Sequence, residues 1–288
     1  MSLDTKSMKK TRLFKFLLPC VAIALPIALI GYLRPTKAQS SSVHLTLGNP
    51  SNATTNVSYP NNYLLLKPQY ALSYSRDRGT PNWVSWQLNS SWLGSAARQD
   101  DFRADTSLPT GWYRVGGSDY SGSGFDRGHM TPSADRTRTV TDNSATFLMT
   151  NMVPQSPDNN QGPWASLENY LRSLVSQGKE LYIISGTYGI GGTGSNGTKY
   201  TIANGNVQVP NRVWKVAVVN NPGAGASGVT TSTRVISVDM PNTQGIRNND
   251  WRTYRVSVDS IEVKTGFNFL SNVSTSVQSV IESRVDNL

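Results

Sequence analysis

The hydrophobic pattern changes period along the chain, and each change marks an element. From Tyr63, the run YLLLKPQYALSYSRDRGTPNWVSWQL holds alternating strand-like patches, with RDRGTPN as a turn signal between ALSYS and WVSWQL. Residues 95–103 (SAARQDDFR) are polar and irregular, and 108–124 are dominated by Gly, Ser, Pro and Tyr. In NQGPWASLENYLRSLVSQGKE the period becomes helical: Trp164, Leu167, Leu171, Leu174 and Val175 recur on one stripe. Pro163 suits the first turn of this helix and Gly178 its end. Beyond it, ELYIISGTYG, RVWKVAVVN, TRVISVDM and YRVSVDSIEV read as strands, and VSTSVQSVIESRV as a short amphipathic helix. Strands on both sides of a central helix place the chain in the α+β class. No internal repeat or dividing linker interrupts residues 62–288, which read as a single domain. Residues 39–61, rich in Ser, Asn and Thr, read as a flexible lead-in.

The first 38 residues follow another pattern. Lys9, Lys10, Arg12 and Lys15 precede an apolar run from Phe16 to Leu33, and Thr36 and Ala38 occupy the small-residue positions of a cleavage point after Ala38. This is the layout of an export signal, so the expected location is secreted or periplasmic, with no stable membrane association after cleavage. The alternative is an uncleaved anchor, since the run is long for a signal and marginal for a span. The segment also changes the charge picture. It holds seven basic residues against Asp4, which accounts for six of the nine net positive charges of the chain and leaves +3 for the rest. A charge of that size permits a polyanionic partner without arguing for one. The single cysteine, Cys20, lies in this segment, so the remainder has neither a disulfide nor a thiolate metal site.

Two histidines remain for acid–base chemistry, His44 and His129. His44 falls in the lead-in, where a surface position is expected. His129 sits in GFDRGHMTP, next to Asp126 and Arg127 and close to Asp135, Arg136 and Arg138. On an extended segment Arg127 and His129 point to the same side. A guanidinium there disfavours a second positive charge, keeping the imidazole neutral, and can hold a phosphate beside it. The segment alone also fits a loop histidine bonded to a backbone carbonyl. In the helix, Asn160, Glu168 and Arg172 span about 120° of one face at 100° per residue. An amide, a carboxylate and a guanidinium would then share a polar edge, or form a solvated face with a Glu168–Arg172 pair.

Taken together, FDRGHMTPSADR, TNMVPQSPDNNQGPWASLENYLR and TGFNFL resemble the DNA/RNA non-specific endonuclease family. These are the sugar-non-specific nucleases of the ββα-metal, or His-Me finger, class. LLLKPQYALSY, PNWVSWQL and RQDDFRAD also fit, so the resemblance covers roughly residues 60–285. It implies an antiparallel central sheet flanked by helices, with a ββα-metal finger carrying the site. It further implies that His129 is the general base that activates water and that Asn160 is the one direct ligand of Mg²⁺, with Mn²⁺ substituting. Glu168 would orient the ion's waters, Arg98 would stabilise the phosphorane-like charge, and Arg127 and Arg172 would support the phosphate. Asp126 belongs to the motif and shapes the site. Arg103, close to Arg98, is the alternative for that position. The implied partners are DNA and RNA, single- or double-stranded, and an intracellular protein inhibitor that acts before export.

These roles agree with the chemistry of the residue types. Mg²⁺ takes oxygen ligands and keeps waters, so one amide suffices, and arginines balance charge on the phosphate. The competing reading is a non-catalytic nucleic-acid-binding or uptake protein on the same fold. A serine hydrolase is a third, but no G-x-S-x-G elbow is present. Gly192–Lys199 nearly mimics a phosphate-binding loop, with the lysine displaced by one residue, and reads as a flexible loop between strands. The seven tryptophans read as core and loop anchors.

Overall fold

A strand whose side chains are apolar on both sides needs cover on both faces, and three strands of this chain have that pattern. The computed structural model describes residues 42–288, so the expected export signal and Cys20 lie outside the described residues. The strands are β1 (Tyr63–Leu66), β2 (Ala71–Ser75), β3 (Thr80–Leu88), β4 (Asp126–His129), β5 (Met152–Gln155) and β6 (Glu180–Tyr188). They are followed by β7 (Gly192–Gly194), β8 (Gly197–Lys199), β9 (Thr201–Ile202), β10 (Val207–Gln208), β11 (Arg212–Asn220) and β12 (Arg234–Pro241). Six of them form one antiparallel sheet in the order β1-β2-β3-β6-β11-β12. The helices are α1 (Val140–Ala145), α2 (Pro157–Asn159), α3 (Ala165–Ser176), α4 (Val258–Thr265) and α5 (Thr275–Ile281).

Period-two alternation divides β3, β6 and β11 between two cores. Val84, Trp86, Leu181, Ile183, Val213 and Ala217 meet Trp164, Leu167 and Leu171 on one face. Trp83, Tyr182, Ile184, Trp214, Val216 and Val218 meet Val258, Ile261, Phe269 and Ile281 on the other. Six of the seven tryptophans are buried, as the anchor reading expects. On the first face, β4 and β5 pair from Asp126↔Gln155 to His129↔Met152, and Met130 and Val153 fix this hairpin to the core beneath α3. Hairpin and helix together make a ββα finger.

Four expectations change. The 39–61 segment is no loose lead-in over its described part: Leu45 and Leu47 join the second core, and His44 is 3 % exposed. The His44 ring accepts from Gln87 N at Nδ1 (3.2 Å), so Nε2 carries the hydrogen donated to Pro68 O (2.8 Å). The strand expected in YRVSVDSIEV is mostly α4. Ser257 caps it by accepting from Ser260 N, and Gly266 ends it in the left-handed conformation at φ 72°. Val258 and Ile261 satisfy helical as well as strand spacing, and the cap and stop select the helix. Gly192–Lys199 is a hairpin of β7 and β8, pinned where Ser195 N donates to Gly124 O (2.9 Å).

The helix expected from Asn160 is also broken. Asn160–Trp164 forms a wide π-type turn, and Gly162 departs from helical geometry (φ −110°, ψ −113°) before α3 begins. A Cβ on Gly162 would stand 2.4 Å from Arg247 O, so only glycine admits the neighbouring backbone. Asn160 and Glu168 therefore do not share a regular helix face.

Burial holds His44 neutral and lowers its pKa to about 4. Unfolding restores a value of about 6.5, so the unfolded chain binds the extra proton. The stability from the neutral ring is therefore complete above about pH 6.5 and is lost as pH falls towards the folded value. His44→Gln removes this dependence but keeps an amide donor for Pro68 O. The gap in unfolding free energy between wild type and His44→Gln should shrink by up to about 3 kcal/mol between pH 7 and pH 4. Parallel urea titrations measure it, and a constant gap would contradict the assignment.

Candidate active site

β4 places the DRGH residues by simple alternation. Its partner β5 runs beneath Gly128 so closely that a Cβ there would meet Gln155 Oε1 at 2.2 Å and Gln155 Cβ at 2.5 Å. The glycine lets the strand sit down on Gln155, while Arg127 and His129 rise on one side, as expected. Both reach Phe102. The Arg127 guanidinium stacks 4.0 Å from the centre of that ring, and His129 meets it edge-on at 5.6 Å. Phe147 packs beside Phe102, its ring 4.9 Å from His129 at 87°, and Arg98 stacks on Phe147 at 4.9 Å. The three rings are mutually in contact, with Phe102 and Phe147 4.9 Å apart, so the imidazole packs against a pair of phenyl rings that each carry an arginine.

This enclosure sets the charge state of His129. Burial lowers its pKa to about 3, assisted by the positive charges of Arg98 and Arg127. The ring is neutral at any ordinary pH. Neither ring nitrogen has a hydrogen-bond partner among the described residues, and Nε2 is sealed from solvent.

Asn160 reaches the start of β4 from the π-type turn. Asp126 Oδ2, on β4, accepts from Asn160 Nδ2 (2.8 Å) and from Gln161 Nε2 (2.8 Å). Tethering the amide nitrogen fixes the side chain and leaves Oδ1 free of any protein donor among the described residues. The result is an oriented neutral oxygen beside a carboxylate, the donor type that hard divalent cations accept. The residues present therefore fit such an ion. An open cleft of about 330 Å³ is lined by Arg98, Arg127, Asp126, Asn160, Phe102 and Tyr120, among others.

Arg98, not Arg103, lines this cleft. Arg98 is braced by Asp100 (2.7 Å) and by Ser133 Oγ (2.9 Å), whereas Arg103 is engaged with Asp101 and Ser144 O. Glu168 and Arg172 do not line it and do not pair with each other. Arg172 donates to Asp135 Oδ1 (2.8 Å) and Asn169 Oδ1 (2.6 Å), and Glu168 Oε1 meets Lys215 Nζ at 3.3 Å. The short turn Ser133–Asp135 links the two groups, since Ser133 serves Arg98 and Asp135 serves Arg172.

Lys215 was not among the expected site residues. It projects from β11 onto the α3 face, is 1 % exposed, and lies 4.1 Å from the Trp164 ring. Burial pushes Glu168 up and Lys215 down, and each charge partly offsets the shift of the other. One lysine inside the apolar run RVWKVAVVN was the available signal, because an unpaired ammonium is not buried. Phe102 and Phe147 carried no comparable signal: only the fold brings them to His129.

The comparisons bear on the family and the fold. The family model for DNA/RNA non-specific endonuclease matches residues 47–276. A nuclease of Nostoc sp. is 55 % identical over 93 % of this chain and 98 % of its own length. Human mitochondrial endonuclease G is 32 % identical over 72 % of this chain and 69 % of its own. A solved structure described as the EndoG/EndoGI complex superposes with a TM-score of 0.66 at 26 % identity, over 80 % of this chain and 91 % of that one. With a family model spanning both β4 and α3, and a relative aligned over nearly its full length, the chain belongs to the DNA/RNA non-specific endonuclease family of metal-dependent nucleases.

Proposed function

We propose that this protein is an exported endonuclease that hydrolyses phosphodiester bonds of DNA and RNA with little sequence preference. In this reading His129 is the general base and Mg²⁺, or Mn²⁺ in its place, is held at Asn160. The observation that carries it is a neutral, half-buried imidazole packed against the phenyl rings on which Arg98 and Arg127 stack, while both arginines line one cleft with Asn160, whose amide oxygen has no protein donor among the described residues.

Each residue then has a physical task. Nε2 of His129 is sealed, so Nδ1 is the nitrogen left to take the proton of an attacking water. The low basicity of the free ring is partly a product of Arg98 and Arg127. A phosphate seated between these arginines offsets their charge, so His129 gains basicity when substrate arrives. Both guanidiniums balance the charge that builds on the phosphate. Asp126 positions Asn160 by holding its amide nitrogen, and Asn160 Oδ1 would be the protein ligand of the ion. When bound, the ion supplies positive charge to the phosphate and to the departing oxygen. Glu168, held by Lys215, is assigned to the ion's waters by the motif match, and Arg172 supports the phosphate side through Asp135. These contacts engage phosphate and not base edges, which supports lack of sequence choice. The similarity to a nuclease solved in the EndoG/EndoGI complex supports a protein inhibitor as a partner of this chain too.

His129→Ala should lower kcat on plasmid DNA and on RNA by about 10²–10⁴-fold. Nucleic-acid binding, read by fluorescence anisotropy, should change little; near-normal turnover would remove the base assignment. Cleavage of circular DNA and RNA should stop with a chelator and return with Mg²⁺, and chelator-resistant cleavage would exclude the role of Asn160. Lys215→Met leaves the Glu168 carboxylate buried without its cation and should cost about 3–5 kcal/mol. Adding Glu168→Gln should restore most of that stability in urea unfolding, and a double variant as unstable as the single one would show that the pair is not the cause.

A further inference from the structure

On the far face of the sheet, a group of side chains has no account in the reaction. Asp259 lies in the first turn of α4, Glu262 one turn later, and Glu282 directly after α5. Each offers a carboxylate oxygen, and the three oxygens lie within 4.8 Å of one another. The helices that carry them pack through Val258, Ile261 and Ile281 onto Trp214, Val216 and Val218, opposite the face that holds α3.

Three carboxylates at this spacing repel unless something positive lies between them. The cations close to them in sequence are engaged elsewhere: Lys264 pairs with Asp239, Arg255 pairs with Asp286, and Arg284 donates to Thr231 O. None of the three acids makes an ion pair among the described residues. Glu262 Oε1 accepts from Phe269 N (2.8 Å), which fixes that side chain. Glu282 is 5 % exposed, and its Oε1 is buried with no hydrogen-bond partner. A buried carboxylate oxygen without a donor is costly, so it calls for a proton or a cation. Burial, then the charges of Glu262 and Asp259, raise the Glu282 pKa to about 7, as befits a carboxylate with nothing positive beside it. The spacing matches a cation. Oxygens on one Ca²⁺, at about 2.3–2.6 Å each, are at most about 5 Å apart. The backbone is already set for it, because Asp259 N donates to Glu282 O (3.0 Å) and joins the start of α4 to the end of α5.

We propose that Asp259, Glu262 and Glu282 form a second divalent-cation site, for an ion the size of Ca²⁺, which ties the C-terminal helix to α4. Its role is structural. Asp259 is exposed, so water completes the coordination, and three protein oxygens give weak binding, of the order of 10⁻⁴–10⁻³ M. The site is independent of the cleft and of the proposed nuclease reaction.

The test is thermal unfolding of the full chain at pH 8, first in chelator and then in Ca²⁺ at about ten times the expected dissociation constant. Wild type, Glu262→Gln/Glu282→Gln and Asn160→Ala are compared, with Asp259→Asn as a milder variant. Ca²⁺ should raise the midpoint of wild type and of Asn160→Ala by about 3–5 °C. It should leave the double variant unchanged and move Asp259→Asn by less than wild type. In chelator the double variant should melt above wild type, because the repulsion is gone. No Ca²⁺ effect on wild type would overturn the site and leave a shared proton. An effect lost in Asn160→Ala but kept in the double variant would place the ion in the cleft instead. If the double variant does not fold, Asp259→Asn decides: a full wild-type response overturns the site, and a reduced one supports it.

Discussion

Covering the sheet on both faces is the constraint from which the rest follows. β3, β6 and β11 are apolar on both sides, so α3 and the β4–β5 hairpin must pack on one face while α4, α5 and the 42–62 segment pack on the other. The finger is held against the sheet by Met130, Val153, Leu167 and Leu171, side chains with no chemical role. Because these are fixed, β4 and the turn before α3 can face each other across a cleft with little freedom. The same burial pairs Lys215 with Glu168 and sets its ammonium over the Trp164 ring.

Enclosure governs the chemistry as well. A histidine in water titrates near pH 6.5. Packed against Phe102 and Phe147, and with a guanidinium stacked on each of those rings, the ring of His129 cannot readily charge. Stacking on phenyl rings leaves the edge of Arg127 free for phosphate, while Asp100 and Ser133 hold Nε and one terminal nitrogen of Arg98. The arginines that depress the base in the free protein are the groups a phosphate would neutralise, so binding and activation share the same atoms. Asp126 adds one further control: it orients the Asn160 oxygen without competing for it.

Much of this was legible in the residues. The alternation of ALSYS, WVSWQL, ELYIISGTYG and RVWKVAVVN gave four strands of the central sheet, and the Trp164–Val175 stripe gave the buried face of α3. The side shared by Arg127 and His129 followed from the two-residue period. Other features depended on contacts from distant parts of the chain. The break at Gly162 exists because the Arg247 backbone passes there, and the kink separates Asn160 from the helix that carries Glu168. The spacing of Val258 and Ile261 was compatible with a strand until the cap and stop residues decided for a helix. His44 sits in a polar segment, and its burial comes from Pro68 and Gln87, which lie outside that segment.

The sequence by itself determined which residue types carry the chemistry and in what local order: base and arginine on a strand, amide before a helix, carboxylate within it. Those are properties of short segments, fixed by periodicity, capping and side-chain chemistry. Only the tertiary structure decided which arginine reaches the cleft, which ring nitrogen is sealed, and that Glu168 pairs with Lys215 and not with Arg172. It also brought Glu282 to Asp259 and Glu262. Each of these outcomes is a matter of desolvation and distance between segments far apart in the chain. Neither quantity exists until the sheet has been covered on both faces.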